Sequence, residues 1–308
     1  MTRRSLAIAI GLCLIAILAM GVVAACGSKD DTSSNASPSS GAGGLEGSAA
    51  DRAATILGQA PTGLAQKIVD KGEVIVANDA AYPPQSSINK DTGEMEGFDV
   101  DVALAMGEIL GLQVKFENPS WDTIPQGLSQ GKYDVSIGSM TSFLDGKQDV
   151  EPIPYRLTKV DFTAPYYSNT AQVFVKQGGT EITQASDLDG KKVGVGRSTT
   201  YETWLKANTK AEIVTYPTDA DAFPDLRNGN LDYAMTSGVT GQQAIQDGQP
   251  FAFTGDPLFY EDLSMAYKKG EADWGALLDY AVKTMHENGS LSEMSMKWYN
   301  GLDLTVKQ

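Results

Sequence analysis

Short apolar runs alternate with segments of helical spacing along residues 64–137. Val102, Met106, Ile109 and Leu110 recur at helical spacing, and Gly111 ends that run, as a glycine commonly ends a helix. Shorter helices are predicted over 64–69 and 124–128. Compact apolar runs of strand length occupy 74–77, 113–116 and 133–137. This alternation predicts a mostly parallel α/β sheet flanked by helices.

A second group of the same kind follows. Its predicted strands are 192–195, 212–215 and 231–235, and its predicted helices are 201–206 and 220–226. Apolar segments at 171–175 and 263–267 connect the two groups in opposite directions. The pattern therefore predicts an α/β protein with two lobes, two mostly parallel sheets and two crossing strands.

The predicted boundaries follow from these connections. Lobe 1 comprises residues 64–170 plus 263–304, lobe 2 comprises 171–262, and 305–308 form a short tail. Parallel sheets bind ligands beyond the carboxyl ends of their strands, and pockets favour domain interfaces. The ligand is therefore expected between the lobes.

The N-terminus has the pattern of an export signal. Arg3 and Arg4 precede an apolar run over 6–25, whose small last residues lead into Cys26. This arrangement resembles the lipobox of a bacterial lipoprotein signal peptide, which predicts cleavage after residue 25 and lipidation of Cys26, palmitate included. A retained signal anchor is the alternative, because about 20 apolar residues can span a bilayer. Cleavage also removes Cys13, so no internal disulfide can form.

Residues 26–63 are predicted to be a flexible tether after the lipidated cysteine. They are mostly Ser, Gly, Ala and Asp, a composition that buries too little apolar surface to offset the entropy of ordering. Only 50–57 have weak helical character. Folded structure is expected to begin near Leu64, and the protein is expected to be a lipid-anchored, extracytoplasmic monomer.

Charge and residue content argue against nucleic-acid and metal partners. The 308 residues carry 39 acidic and 24 basic side chains, a formal net charge of -15. Such a chain repels the phosphates of nucleic acids. His286 is the only histidine, and no cysteine cluster accompanies it, so no metal or other cofactor is predicted.

Several ordered motifs resemble one family. The segment Gly97-Phe98-Asp99-Val100-Asp101-Val102 is similar to the signature of family 3 extracellular solute-binding proteins, the polar amino-acid receptors of ABC transporters. Further matches are 131–134, 160–167, 188–195 and 297–301. The resemblance implies a periplasmic-binding-protein type II fold, capture of a carboxylate-bearing solute without catalysis, and delivery to an ABC permease. Asp99 and Asp101 themselves are interpreted as acids at a helix start, where the dipole favours them.

The resemblance also implies a set of ligand-binding residues. Asp79 and Tyr82 match an acid and an aromatic residue that face the ligand, and Trp121 matches a second aromatic face. Ser139, Thr141 and Arg156 match positions that bind the α-carboxylate, with Arg156 able to hold it bidentately. Thr199 and Thr200 begin a helix in the second lobe, whose free amides attract an anion.

Two departures concern the ligand's amine. Ser237 occupies the position where the family usually places an aspartate for the α-ammonium. Residues 142–154 form a longer link than usual and carry Asp145, Asp149 and Glu151, which either supply negative charge or are solvated. Gln85 and Arg197 suggest a ligand more polar or more anionic than a neutral amino acid.

Two other functions stay open at this point. The same fold occasionally hosts a cyclohexadienyl-type dehydratase, which needs a general acid that Asp79, Glu202 or the acidic link could supply. A sensory lipoprotein would close in the same way and hand its closed form to a receptor instead of a permease.

Overall fold

The computed structural model describes residues 45–305; the predicted leader, Cys26 and the first part of the predicted tether lie outside them. Within this part the helices are α1 (Ala49–Leu57), α2 (Gly63–Lys71), α3 (Phe98–Leu110), α4 (Ile124–Ser129), α5 (Ile153–Arg156), α6 (Thr200–Asn208), α7 (Phe223–Asn228), α8 (Gly238–Gln246), α9 (Ala272–Glu287) and α10 (Ser290–Trp298). No helix of residues 45–305 is both long and apolar enough to cross a membrane.

The strands form one large sheet and one small one. They are β1 (Glu73–Ala77), β2 (Ala81–Tyr82), β3 (Ser86–Ile88), β4 (Met95–Glu96), β5 (Gln113–Glu117), β6 (Val135–Leu144), β7 (Val160–Lys176), β8 (Lys192–Gly196), β9 (Glu212–Tyr216), β10 (Tyr233–Ser237) and β11 (Phe251–Lys268). The large sheet has the order β5-β1-β6-β11-β7-β10-β8-β9, and β2-β3-β4 form the small sheet.

The predicted α/β fold with two crossing strands is confirmed. β1 pairs in parallel with β5 and β6, and β8 pairs in parallel with β9 and β10. The long strands β7 and β11 lie antiparallel between these groups. Because they pair with each other from one group to the other, the two predicted sheets meet in one continuous sheet.

We call β5, β1 and β6 with their helices the first half, and β10, β8 and β9 with their helices the second half. The core of the first half includes Trp274, Met106 and Phe98, all fully buried. The second half has separate apolar clusters around Leu205 and Phe174. Each half thus has its own core, while β7 and β11 extend through both.

The structure corrects the predicted tether at its C-terminal end. Residues 49–57 form α1, whose N-terminal Ser48 accepts a hydrogen bond from the Asp51 amide while Asp51 bonds back to the Ser48 amide. Ala49 and Ala53 are buried in the core of the first half. The expectation that folding starts near Leu64 is therefore wrong, because small alanines suffice where a helix packs closely against its neighbours.

Candidate ligand-binding site

A cavity of about 60 Å³ lies where the two halves meet. Its walls come from the loops after β1, β8 and β9 and from the middle of β6 and β11. Eight of the nine predicted ligand-binding residues line it: Asp79, Tyr82, Trp121, Ser139, Thr141, Arg156, Thr199 and Thr200. Ser237 is the exception.

Among residues 45–305, Arg156 is the one basic residue in the wall of this cavity, and it is 3% exposed at the end of α5. Its Nη1 donates to the Thr141 carbonyl at 2.9 Å, and its guanidinium carbon lies 5.7 Å from the ring centroid of Trp121. Burial lowers the pKa of Arg156 to about 10, against the raising effect of the nearby Glu261 charge. The guanidinium is therefore still charged at neutral pH. With five N–H donors, it has enough left to hold a carboxylate bidentately.

Ser139 is held by the helix that begins in the signature segment. Its hydroxyl donates to Asp99 Oδ2 at 2.7 Å, and its backbone amide donates to the Tyr166 hydroxyl at 2.9 Å. Tyr166 in turn donates to Asp99 Oδ1 at 2.7 Å, and burial raises the pKa of Asp99 to about 7. Ser139 has a φ of 56°, in the left-handed region. The signature aspartate therefore fixes a strained residue within β6, in the cavity wall.

A chain of hydrogen bonds connects the two halves through Thr141. Thr200 Oγ1 donates to Thr141 Oγ1 at 2.9 Å, and Thr141 donates to Glu261 Oε2 at 2.7 Å. The Tyr201 hydroxyl donates to Glu261 Oε1 at 2.5 Å and lies 3.0 Å from the Tyr82 hydroxyl. These bonds occupy the space between the walls. A solute of amino-acid size therefore enters only when the halves part here.

Thr199 is the N-cap of α6. Its hydroxyl accepts from the Glu202 amide at 3.1 Å and donates to the Gly196 carbonyl at 2.7 Å. Glu202 bonds to the Ser198 amide at 2.6 Å. Thr199 therefore positions the start of α6 beside the cavity, as expected of a capping threonine.

The acid and the aromatics of the first half lie in the wall but contact protein groups. Asp79 accepts from the amides of Ala81 and Trp121 at 3.1 and 2.9 Å, and burial raises its pKa. The Trp121 indole donates to the Ser198 carbonyl at 3.2 Å across the interface. Asp79 thus shapes the loop that carries Trp121, and the Trp121 ring faces the Arg156 guanidinium.

Ser237 lies next to the lining residue Tyr82 but outside the wall itself. It is the N-cap of α8, where it accepts from the Thr240 amide at 3.2 Å and donates to Thr240 Oγ1 at 2.8 Å. Gln85 Nε2 donates to the same hydroxyl at 3.3 Å. Gln85 therefore connects the two halves through Ser237.

Sequence reasoning missed two buried carboxylates of the wall. Asp219 follows β9, and Glu261 lies inside β11; they are 5% and 2% exposed. Burial raises the pKa of Asp219 to about 7 and also raises that of Glu261. The one sequence signal was the position of Glu261 just before the apolar segment 263–267, since charged side chains are seldom fully buried without a partner.

The other charged candidates lie elsewhere. Asp145, Asp149 and Glu151 are exposed, and Asp145 accepts from the Tyr260 amide at 2.9 Å. Arg197 lies 3.3 Å from Asp122 in an ion pair between the halves. The suggestion of a more anionic ligand loses its support, because three buried carboxyl groups share the wall with one buried guanidinium.

Comparisons with known proteins agree with this architecture. Residues 74–301 match the family described as bacterial extracellular solute-binding proteins, family 3. The L-cystine-binding protein TcyJ of Escherichia coli is 32% identical over 250 residues, which cover 80% of this chain and 89% of that protein. The L-arginine-binding protein of Pseudomonas aeruginosa is 29% identical over 238 residues, covering 74% and 88%.

Solved structures share the fold. An ancestral arginine-binding protein bound to arginine superposes with a TM-score of 0.67 at 27% identity, covering 74% of this chain and 98% of that one. The ancestral amino acid-binding protein AncCDT-1, a precursor of cyclohexadienyl dehydratase, gives 0.68 at 30% identity, covering 76% and 98%. The match over residues 74–301, the relatives and the fold together show that this chain belongs to family 3 of the bacterial extracellular solute-binding proteins.

Proposed function

We propose that this protein binds an amino acid between its two lobes, leaves it chemically unchanged, and presents the closed form to an ABC permease. The observation that carries the proposal is the mixed charge of the cavity. A buried guanidinium and three buried carboxyl groups line it, those of Asp99, Asp219 and Glu261, with hydroxyl groups between them. A zwitterion carries a carboxylate that complements the guanidinium and an ammonium that complements the carboxylates.

The fold supplies a mechanism for capture. The two groups of strands have separate cores joined by β7 and β11. The predicted lobes, 64–170 plus 263–304 and 171–262, differ from these cores where Leu144 and Ile153 pack with the second half and Val239 with the first. Hinge motion about such strands opens and closes a cleft around a ligand. Opening would break the Thr141–Thr200 and Tyr82–Tyr201 contacts, and a bound amino acid would take their place.

Relatives suggest which amino acids to test first. The E. coli relative is an L-cystine-binding protein and the P. aeruginosa relative an L-arginine-binding protein. Both molecules carry a free α-carboxylate and a free α-amine. We therefore expect the ligand to come from this class.

The function is tested by thermal unfolding with L-cystine, L-arginine and the remaining proteinogenic amino acids. A ligand present at 100 times its Kd stabilises the folded protein by about 2.7 kcal/mol. For a folded part of this size, that raises Tm by roughly 5–10 °C. Calorimetric titration then measures the affinity. A flat Tm across the whole panel would contradict the proposal.

One observation favours dehydration as a second candidate function. The pKa of Asp219, raised to about 7 by burial, suits a general acid at neutral pH, and this carboxyl faces the cavity. The structural relative AncCDT-1 is named as a precursor of a dehydratase. Incubation with prephenate and arogenate separates the functions, because turnover supports catalysis and its absence alongside amino-acid binding supports capture alone.

Anchoring through Cys26 is part of the proposal. The small residues before Cys26 predict processing and lipidation there. We expect the protein to sediment with membranes after expression in a bacterium, and the variant Cys26→Ala to lose its acyl chains. Mass spectrometry of the mature N-terminus provides the measurement, with Cys13→Ala as the matched control. Acyl chains on the Cys26→Ala protein would refute the assignment.

A further inference from the structure

Three parallel strands of the second half end beside the cavity, and one buried carboxylate lies among these ends. β10 pairs with β8 and β8 pairs with β9, all in parallel, so their carboxyl ends meet at one edge. Asp219 is three residues beyond the end of β9. It accepts from the Gly196 amide at the end of β8 and from Thr236 near the end of β10. The carboxylate is thus fixed at the sheet edge that lines the cavity.

Neutral groups alone hold this carboxylate. The Gly196 amide donates to Oδ1 at 2.7 Å and Thr236 Oγ1 donates to Oδ2 at 2.8 Å. Within residues 45–305, no basic nitrogen lies within salt-bridge distance of Asp219. A carboxylate has about four lone-pair directions, so acceptor capacity remains on the cavity side.

Gly196 makes this placement possible. A Cβ atom added at Gly196 would lie 2.4 Å from Asp219 Oδ1, which is closer than two such atoms can approach. Any side chain at 196 would therefore push the carboxylate out of its position. The glycine is required here for close approach and not for an unusual backbone angle.

The second carboxylate has a different electrostatic setting. Glu261 accepts from Thr141 and Tyr201, and the positive charge of Arg156 favours its ionised form. The charge that acts on Asp219 is the like charge of Glu261, which disfavours ionisation. Of these two carboxylates, Asp219 is therefore the one whose charge most needs a cation from the ligand.

We infer that Asp219 accepts the ammonium group of the ligand, with Arg156 holding the carboxylate, so that the ligand must carry a free amine. This inference rests on the proposed function. The resemblance placed the ammonium acceptor at Ser237, but this residue is neutral and lies outside the cavity wall. Asp219 provides the charge from the end of a neighbouring strand.

The test pairs each amino acid with its analogue that lacks the α-amine. L-Arginine is compared with 5-guanidinopentanoate, and L-cystine with 3,3′-dithiodipropionate, by calorimetric titration of the wild type and of Asp219→Asn. Asparagine keeps the shape and can still accept from Gly196 and donate to Thr236. For the probe pair whose amino acid binds, the wild type should bind the amino acid roughly 30-fold or more tightly than its analogue without the amine. In Asp219→Asn this ratio of affinities should be about threefold or less.

Two variants serve as comparisons. Asp232→Asn removes the same charge from an exposed aspartate of the second half, which accepts from the Lys192 amide, and it should keep the wild-type preference. Gly196→Ala keeps Asp219 but displaces it, so this variant should lose the preference even if Asp219→Asn fails to fold.

Four outcomes are distinguishable. A wild type that binds no member of the amino-acid panel overturns the proposed function and this inference with it. Unchanged amine preference in Asp219→Asn overturns the inference alone. Loss of preference in Glu261→Gln but not in Asp219→Asn assigns the amine to the other carboxylate and also overturns it. Loss of the amine preference in Asp219→Asn, together with its retention in Asp232→Asn, supports the inference.

The pH profile adds an independent readout. The ligand-free carboxyl titrates near pH 7, so it is increasingly protonated below that pH. Affinity of the wild type for the amine-bearing probe should therefore fall as the pH decreases from 8 to 5, by at most about tenfold per unit from this group. The ionisable groups that act on Asp219 are Glu261, Tyr82 and Tyr201. Because burial also raises the pKa of Glu261, the informative quantity is the difference between the wild type and Asp219→Asn.

Discussion

Replacing Arg156 with methionine should weaken amino-acid binding by about 30-fold to several thousand-fold. Methionine keeps most of the stem volume but removes the charge, so a ligand carboxylate enters a buried site without a cation. Truncating one partner of a buried, hydrogen-bonded charge pair typically costs about 2–5 kcal/mol. The loss of the guanidinium also leaves Glu261 without its nearest positive charge. Calorimetric titration with the best-binding amino acid measures the effect.

The control for this prediction uses both the protein and the ligand. Arg227→Met removes an exposed arginine whose Nη1 donates to Gln249 at 2.8 Å, and it should bind like the wild type. The carboxamide of the same amino acid should bind weakly to the wild type, and its affinity for Arg156→Met should be about the same. Equal losses for acid and amide would show that Arg156 acts on the fold and not on the carboxylate.

Replacing Gly97 with alanine should destabilise the protein by about 3 kcal/mol or more. Gly97 has a φ of 135°, and an added Cβ would lie 2.2 Å from the Gln85 carbonyl oxygen and 2.9 Å from the Ser86 Cα. Backbone strain of this kind costs about 1–3 kcal/mol, and overpacking adds a similar amount. Urea unfolding measures the change, and Tm should decrease by roughly 6–12 °C or more.

Gly93→Ala is the matched control for Gly97→Ala. Gly93 also has a positive φ, 74°, but no atom lies within 4 Å of its added Cβ. The free energy of unfolding of Gly93→Ala should decrease only by the cost of the backbone angle, about 1 kcal/mol. Similar losses at both positions would contradict a steric role for Gly97. The distinction matters for function, because Gly97 begins the helix whose Asp99 holds Ser139.

The two carboxylates show where sequence reasoning reached its limit. Asp219 lies in a loop with several other aspartates, and all of them look alike in one dimension. What distinguishes it is that the ends of β8 and β10 supply Gly196 and Thr236 as its partners. Strand order in a sheet is a tertiary property, so the local sequence around 219 carries no sign of it.

Ser139 illustrates a prediction that held in place but changed in meaning. Its position after a strand predicted a place in the ligand pocket, and it does line the cavity. Its amide and hydroxyl are nevertheless bonded to Tyr166 and Asp99. Those partners come from β7 and α3, which are distant in the chain, so sequence spacing could not show that these groups already have partners.

The sequence by itself determined the alternation of strands and helices, the two groups, the signature helix and most of the residues that meet at the cavity. Hydrophobic periodicity and motif spacing are local properties of the chain, so they can be identified from the sequence alone. Tertiary packing determined the rest: α1 joins the core although its apolar residues are small, the sheet is continuous, and Ser237 does not line the cavity. Above all, folding alone places two of the four acidic residues of the wall, Asp219 and Glu261, because only folding brings the end of β9 and the middle of β11 to the same cavity.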